Sequence, residues 1–434
     1  MKIKILVGAA ALLSCVLAAA QAPLYTEDEV RAMLREDHSR AANFHHAYEV
    51  PKIVDTKAPR GFKPFYISHY GRHGERYHIG YHNYTRPLEV LAPLDSAGQL
   101  TPTGHEIVAG LQAMYAAQDG MEGILTQKGA QTHRGIASRM YARYPRVFRQ
   151  RGRDSVFCAS TRVPRVIQSM DNFVLSLSGK ARRLKFSTYT GDRYTAYLCK
   201  PVRERPGKNE VRVWCDSVFN ADFPSARILG EMIADPAVAS AVLLRNPSIV
   251  DRILYGGAIA RCFDTPQFDV FDYFTEDEIY LWWKLCNTDN FNDCAASLEN
   301  GGYRPREVGG PILQDIVSRA DEAVAGGSRC ADLRFGHDSG IMPLVALLNL
   351  DGMGEAVPAV KSSERFLVFK EIPMGSNLQV VFYRNRRGEV LAKFLLNETE
   401  RTIPALADVA VNGVYYPWPE LRAYLTGLLD FDRG

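Results

Sequence analysis

The chain has 434 residues, 46% hydrophobic and 23% charged, the proportions of a soluble globular protein with room for two domains or for one domain with a large insertion. Its formal net charge of +3 gives no reason to invoke a nucleic-acid partner. Part of that charge belongs to the first residues. Lys2 and Lys4 precede an apolar run from Ile5 to Ala20, and Ala18-Ala19-Ala20 before Gln21 forms a small-residue cleavage site. Residues 1–20 therefore read as a secretory signal peptide, cleaved after Ala20, and imply a periplasmic or secreted protein. Without them the 52 lysines and arginines fall to 50, against 49 acids. Leu12-Leu13-Ser14-Cys15 loosely matches a lipid-attachment box, an alternative that the apolar Val16-Leu17 and the later cleavage site disfavour. No later stretch is long and apolar enough to span a bilayer.

In chain order, residues 21–60 read as a polar, extended N-terminal arm. Its His45-His46 pair reads as surface, because no third ligand stands at helical or turn spacing. Residues 65–70 open on Phe65-Tyr66-Ile67, a buried strand, and lead into Arg72-His73-Gly74-Glu75-Arg76-Tyr77. Leu100-Thr101-Pro102-Thr103-Gly104 and Leu125-Thr126-Gln127-Lys128-Gly129 each begin a helix capped by its threonine. A second strand at 155–159 runs into Ser160-Thr161-Arg162-Val163-Pro164-Arg165 and another helix.

Residues 175–315 form a mainly helical insertion, with one helix at 276–286. This segment carries Cys199, Cys215, Cys262, Cys286 and Cys294; Cys158 and Cys330 lie outside it. Seven cysteines after export leave at least one unpaired in a monomer, and Cys286 with Cys294 is the plausible local pair. Strand texture returns at 329–336, followed by His337-Asp338 and an apolar helix at 341–350, then strands at 366–370, 378–384 and 390–396. The pattern predicts an α/β core from residues 61–174 and 316–434, with the insertion as a cap. In such a core the site lies where strands end and helices begin.

Cleaving a phosphomonoester needs an in-line nucleophile, cations for the three equatorial oxygens and an acid for the departing alkoxide. His73 fits the nucleophile if its other ring nitrogen is tied by a hydrogen bond. Arg72 and Arg76 offer guanidinium forks that match phosphate, and Gly74 admits close backbone approach. His337, at a strand end where a helix begins, fits a phosphate donor. Asp338 beside it fits the general acid, with a pKa expected to rise beside bound phosphate. Cys158 does not fit a cysteine phosphatase, whose arginine would have to stand at the position held by Pro164. Arg203, Arg205 and Lys208 read as a solvated charged loop.

Together these residues resemble the histidine acid phosphatase family, the second branch of the histidine phosphatases. Its Arg-His-Gly-x-Arg-x-Pro motif is matched from Arg72 to Tyr77 and broken at His78, which stands for proline; its late motif is matched at His337-Asp338. The family's arginine four residues before a serine matches Arg165 with Ser169, which Arg162 does not. The resemblance covers residues 60–180 and 328–400. It implies a phosphoglycerate-mutase-like α/β sandwich: a central mixed sheet flanked by helices, with a helical inserted domain. His73 would be the phosphorylated nucleophile and Asp338 the acid. Arg72, Arg76, Arg165 and His337 would bind phosphate. No metal or other cofactor is implied. The substrate would be a phosphorylated small molecule, with inositol polyphosphate (phytate) favoured by Tyr77 and a sugar phosphate, as for glucose-1-phosphatases, the alternative. A phosphoglycerate-mutase-like phosphotransferase shares the Arg-His-Gly start and is the third reading.

Overall fold

A computed structural model describes residues 23–264 and 268–430. Residues 1–20, read from the sequence as a signal peptide, and Cys15 among them lie outside the described residues.

The strands are β1 (Lys63–Arg72), β2 (Ser155–Ser160), β3 (Lys185–Thr190), β4 (Arg329–Gly336), β5 (Asn377–Arg384), β6 (Val390–Leu396), β7 (Thr399–Arg401) and β8 (Tyr416–Pro417). They form one mixed sheet in the order β3-β2-β4-β1-β5-β6-β7, with β8 on β6. The first four run parallel and the rest antiparallel to their neighbours. Both faces of the central strands are covered, which is why β1, β5 and β6 read as near-continuous apolar runs.

Side chains on one face, such as Ile67, Val156 and Leu333, pack on α4 (Gln127–Arg143), α5 (Pro145–Arg149) and α6 (Pro164–Lys180). The opposite face, with Tyr66, Tyr70 and Val380, packs on α13 (Gly310–Val324), α14 (Asp338–Leu347) and α16 (Trp418–Gly427). A third apolar core joins α1 (Glu27–Glu36), α2 (His82–Ser96) and α3 (Pro102–Gln118) to a later helical block. That block holds α8 (Lys208–Asp222), α9 (Ser225–Met232), α10 (Pro236–Arg245), α11 (Ile249–Gly257) and α12 (Glu276–Cys294), whereas α7 (Asp192–Leu198) packs on the sheet with Leu198 in the second core. Thr101 and Thr126 cap α3 and α4, each accepting from the amide three residues on.

Several expectations need correction. The N-terminal arm is helical rather than extended over residues 27–45. Thr26 and Glu29 form a capping box on α1, whose Val30 and Leu34, one turn apart, are buried in the third core. His45 and His46 are buried rather than at the surface. His46 bonds the Ser39 carbonyl and Glu49, at 3.2 and 2.7 Å. Residues 366–370 are not a strand but lead into the short helix α15 (Val368–Glu371). β3, within the segment read as insertion, is a sheet strand beside β2, and α2 and α3 pack with the helical block rather than with the sheet. Cys286 and Cys294 do not pair. Both lie on α12, where eight residues at 1.5 Å rise separate them by about 12 Å, beyond disulfide reach. The seven cysteines among the described residues are all free thiols.

Candidate active site

Three parallel strands deliver the site. β1 ends at Arg72, β2 at Ser160 and β4 at Gly336, and with β4 paired to both β1 and β2 the three loops converge. The backbone of the first loop is pinned throughout. The Arg72 amide donates to the Ser376 carbonyl, the His73 amide to Gly336, and the His73 carbonyl accepts from Gly375, at 2.8, 3.0 and 2.8 Å. The Gly74 amide donates to Ser169 Oγ, which itself donates to the Arg165 carbonyl one helical turn back. That bond gives the Arg-to-Ser spacing of four its structural meaning: it ties α6 to the loop.

Glycine is required where the loop meets α4. A Cβ on Gly74 would stand 2.7 Å from the Gly129 carbonyl oxygen, a backbone atom that has nowhere to go. Gly74→Ala is therefore expected to displace His73. An order-of-ångström misplacement costs on the order of 100-fold in rate, and overpacking a further ~1–3 kcal/mol in stability. Turnover and thermal midpoint measured on the same preparation check both effects. Gly336 faces a similar constraint, since a Cβ there would fall 2.0 Å from the Tyr70 hydroxyl, which donates to the Leu198 carbonyl.

The His73 ring is oriented for attack. Its Nδ1 is 2.9 Å from the Gly74 carbonyl oxygen, so Nδ1 carries the proton and Nε2 keeps its lone pair. Burial, then the charges of Arg165, Arg72, Arg76 and His337, hold His73 well below the ordinary imidazole pKa and keep it a neutral nucleophile. Its ring centroid is 5.7 Å from that of His337. The same factors, burial first and Arg165 next, hold His337 at about 4; its Nε2 is 3.1 Å from the Thr161 hydroxyl.

Arg72 is fully buried, donating to the carbonyls of Ile372 and Phe44 at 2.7 and 2.8 Å and to Asp338 at 3.2 Å. Arg76 donates to the Tyr77 carbonyl and to the Nε2 of His45. Arg165 opens α6 beside the first loop, to which Ser169 ties it, and burial and then the nearby charge of Arg76 lower it to about 10. Arg162 points elsewhere, into an exposed ion pair with Asp192. Asp338 occupies the first turn of α14 and accepts from the Ser339 amide. The pKa rise expected of it depends on a bound phosphate; the protein's own groups act in the other direction. Burial pushes it up, but attraction to Arg72 and His337 outweighs burial and leaves the carboxyl below its ordinary value.

The structure thus brings His73, Asp338, Arg72, Arg76, Arg165 and His337 together, all from loops at one edge of the sheet. Three contributors went unassigned in the sequence. Thr161 holds His337, His45 accepts from Arg76, and buried Glu75 accepts the Tyr48 amide and so ties the N-terminal segment to the loop. His78, in the proline position, is buried and stacked on Tyr255 of α11, with its pKa pressed to about 3 by burial and by Arg76. Arg205 and Lys208 pair with Asp293, away from this cluster.

Above the loops lies a cavity of about 670 Å³. Arg76, Asp338 and His45 line it from the sheet side, and α2, α8, α11 and α12 roof it, with Arg86, Arg212 and Arg252 among the roof residues. Asp216, Asp251 and Asp289 line the same roof.

No protein-family model matches the chain, and no curated protein sequence does. Solved structures do. A multiple inositol polyphosphate phosphatase of Bifidobacterium longum, in complex with inositol hexasulfate, superposes with a TM-score of 0.72 at 20% identity, covering 89% of this chain and 97% of that one. The phytase of D. castellii gives 0.67 at 15% identity over 94% and 91%. A Hafnia alvei phytase, in complex with myo-inositol hexakis sulphate, gives 0.52 at 13% identity over 86% and 99%. At these identities the likeness speaks for architecture, and it extends along nearly the whole chain. The protein has the histidine acid phosphatase fold.

Proposed function

We propose that the chain is a phosphomonoesterase working through a phosphohistidine, with inositol polyphosphate as its substrate class. The observation that carries the reading is the state of His73: neutral, with Nδ1–H spent on the Gly74 carbonyl and Nε2 free amid three guanidiniums. Nε2 attacks phosphorus, Arg72, Arg76, Arg165 and His337 hold the equatorial oxygens, and the ester oxygen leaves with the proton of Asp338. A bound phosphate dianion adds negative charge beside Asp338 and raises its pKa against the lowering by Arg72 and His337, so the acid is charged with its proton by substrate itself. Once the alkoxide has taken that proton, Asp338 is the base for the water that cleaves the N–P bond and regenerates His73. We place this activity outside the cytoplasm, after loss of residues 1–20.

The cavity volume and the guanidiniums on its roof support a polyphosphorylated ring, and two of the similar structures hold hexasulfated inositol. The three aspartates of the roof favour a second reading, a hydroxyl-rich sugar monophosphate. A phosphate-release panel with phytate, glucose 1-phosphate and an aryl phosphate across pH separates them. Preference for phytate is the expected outcome. Preference for glucose 1-phosphate would replace the substrate class, and phosphate moved within a substrate without release would mean a mutase.

A further inference from the structure

The reaction uses one end of the sheet; the opposite end carries a charge pattern that it leaves unused. Because β1 to β4 run parallel, their first residues share an edge, and antiparallel β5 finishes there. Lys63 stands opposite Arg384, and Ser155 lies between Lys185 and Arg329. Arg60 and Lys63 lead into β1, and Arg151 leads into β2. Lys180, Arg182, Arg183 and Lys185 lead into β3, and Arg386 with Arg387 forms the turn after β5. Arg146 and Arg149 flank this edge from α5, where Gln150 donates to the Phe65 carbonyl of β1. Apart from half-buried Arg329 and Arg384 these cations are exposed; Lys185 pairs with Asp154 and Arg329 with Glu322 and Asp332, while the others make no ion pair among the described residues.

Beneath them Arg153 and Arg384 both lie over the Phe65 ring, at 5.0 and 4.4 Å, and donate to the last carbonyls of α13, at Ala323 and Val324. Their charge adds to the potential of the edge. The carboxylates at this edge are few: Asp154, Glu389 beside Arg387, and Glu322 at the end of α13, which pairs with Arg329. A chain close to neutral overall thus gathers unpaired cations over five adjacent strands, a face roughly 20 Å wide at sheet spacing.

We propose that this pole is a docking face for an anionic lipid bilayer. Guanidiniums dominate it, and they match the phosphate oxygens of headgroups. Its loops carry no exposed aromatic ring for base stacking and no long helix to enter a duplex groove. No described helix crosses a membrane, so attachment would be peripheral and electrostatic. Since the candidate site sits at the other ends of the same strands, a docked molecule would turn its cavity away from the lipid.

The test uses the chain from Gln21, which keeps every described residue and removes the apolar leader. Flotation with phosphatidylcholine vesicles, with and without phosphatidylglycerol, should show binding only to the anionic ones, weakening as salt rises. Arg151→Glu/Arg182→Glu/Arg183→Glu/Arg386→Glu should weaken that binding by more than about tenfold. The milder Arg182→Gln/Arg183→Gln should weaken it partially, with aryl-phosphate turnover unchanged in both. Equal binding to neutral vesicles, no binding at low salt, or undiminished binding by well-folded variants would overturn the proposal. So would tighter binding to duplex DNA than to anionic vesicles.

Discussion

His73→Ala is expected to lower kcat by at least about 10⁴-fold at every pH and on every phosphomonoester, because it removes the atom that bonds to phosphorus in the proposed mechanism. The loss should fall on kcat far more than on KM, since Arg72, Arg76 and Arg165 still bind the phosphate. Asp338→Asn gives the complementary result. It leaves the nucleophile intact and removes the proton, so alkyl esters should suffer far more than an aryl phosphate, whose leaving group departs without help. Denaturing quench without acid should trap a phosphorylated wild-type chain, and the label should be absent from His73→Ala. Retained turnover in that variant, or a label that survives the substitution, would remove His73 from the mechanism.

The second large effect concerns acid stability. His69, His78 and His133 are buried with their pKa pressed to about 3, in each case by burial before any neighbouring charge, and His337 is held at about 4. His45 and His73 are lowered too, burial again leading. In the unfolded chain each titrates near pH 6.5. Between that pH and the folded value the unfolded state binds more protons, so stability is complete above about pH 6.5 and falls as pH drops. Each fully neutral histidine contributes on the order of 2 kcal/mol of loss between pH 6.5 and 4.5. Against a total of about 5–15 kcal/mol, the set is large enough to unfold the chain. Buried Glu75, Asp251 and Asp289, raised by burial, act in the opposite sense, but only once pH approaches the carboxylate range. The thermal midpoint should therefore drop steeply from pH 7 to 4.5, and His133→Leu should flatten that slope by about one proton. A midpoint constant over this range would refute the account. On the proposed mechanism, which needs a protonated Asp338, a chain that loses stability in acid should gain much from bound phosphate, which stabilises the folded state by mass action.

The convergence of the candidate site residues was more legible in the sequence than their surroundings. Arg72-His73-Gly74, Arg165 with Ser169, and His337-Asp338 were readable because phosphate chemistry admits few residue types and because each follows a strand of unmistakable apolar texture. Thr101 and Thr126 were readable as caps for the same local reason. What failed depended on distant partners. Residues 27–48 looked like a polar arm because their buried face is narrow, though the Thr26–Glu29 box and the Val30–Leu34 pair were visible. Residues 366–370 are apolar enough for a strand but make a helical turn against the N-terminal segment. The short, exposed strand β3 has no burial pattern of its own, and only its pairing with β2 defines it. Cys286 and Cys294 looked like loop neighbours because the helix they share extends beyond residue 286. The pKa of Asp338 could not be read at all, since its sign depends on Arg72 standing 3.2 Å away.

The sheet order has a consequence for biosynthesis. β1 and β2 emerge first from the ribosome, yet neither pairs with the other: β4 lies between them, and it begins only at Arg329. Until then both strands wait with open edges, and the nascent chain has no means of closing its central layer. Contacts that span such sequence distances close slowly and leave edges exposed to aggregation meanwhile. The same late strand carries Gly336 and delivers His337-Asp338. Translation of β4 thus joins the parallel strands and brings in the last of the candidate site residues in one event, and a chain stopped before it would hold His73 on a half-built sheet without His337 and Asp338.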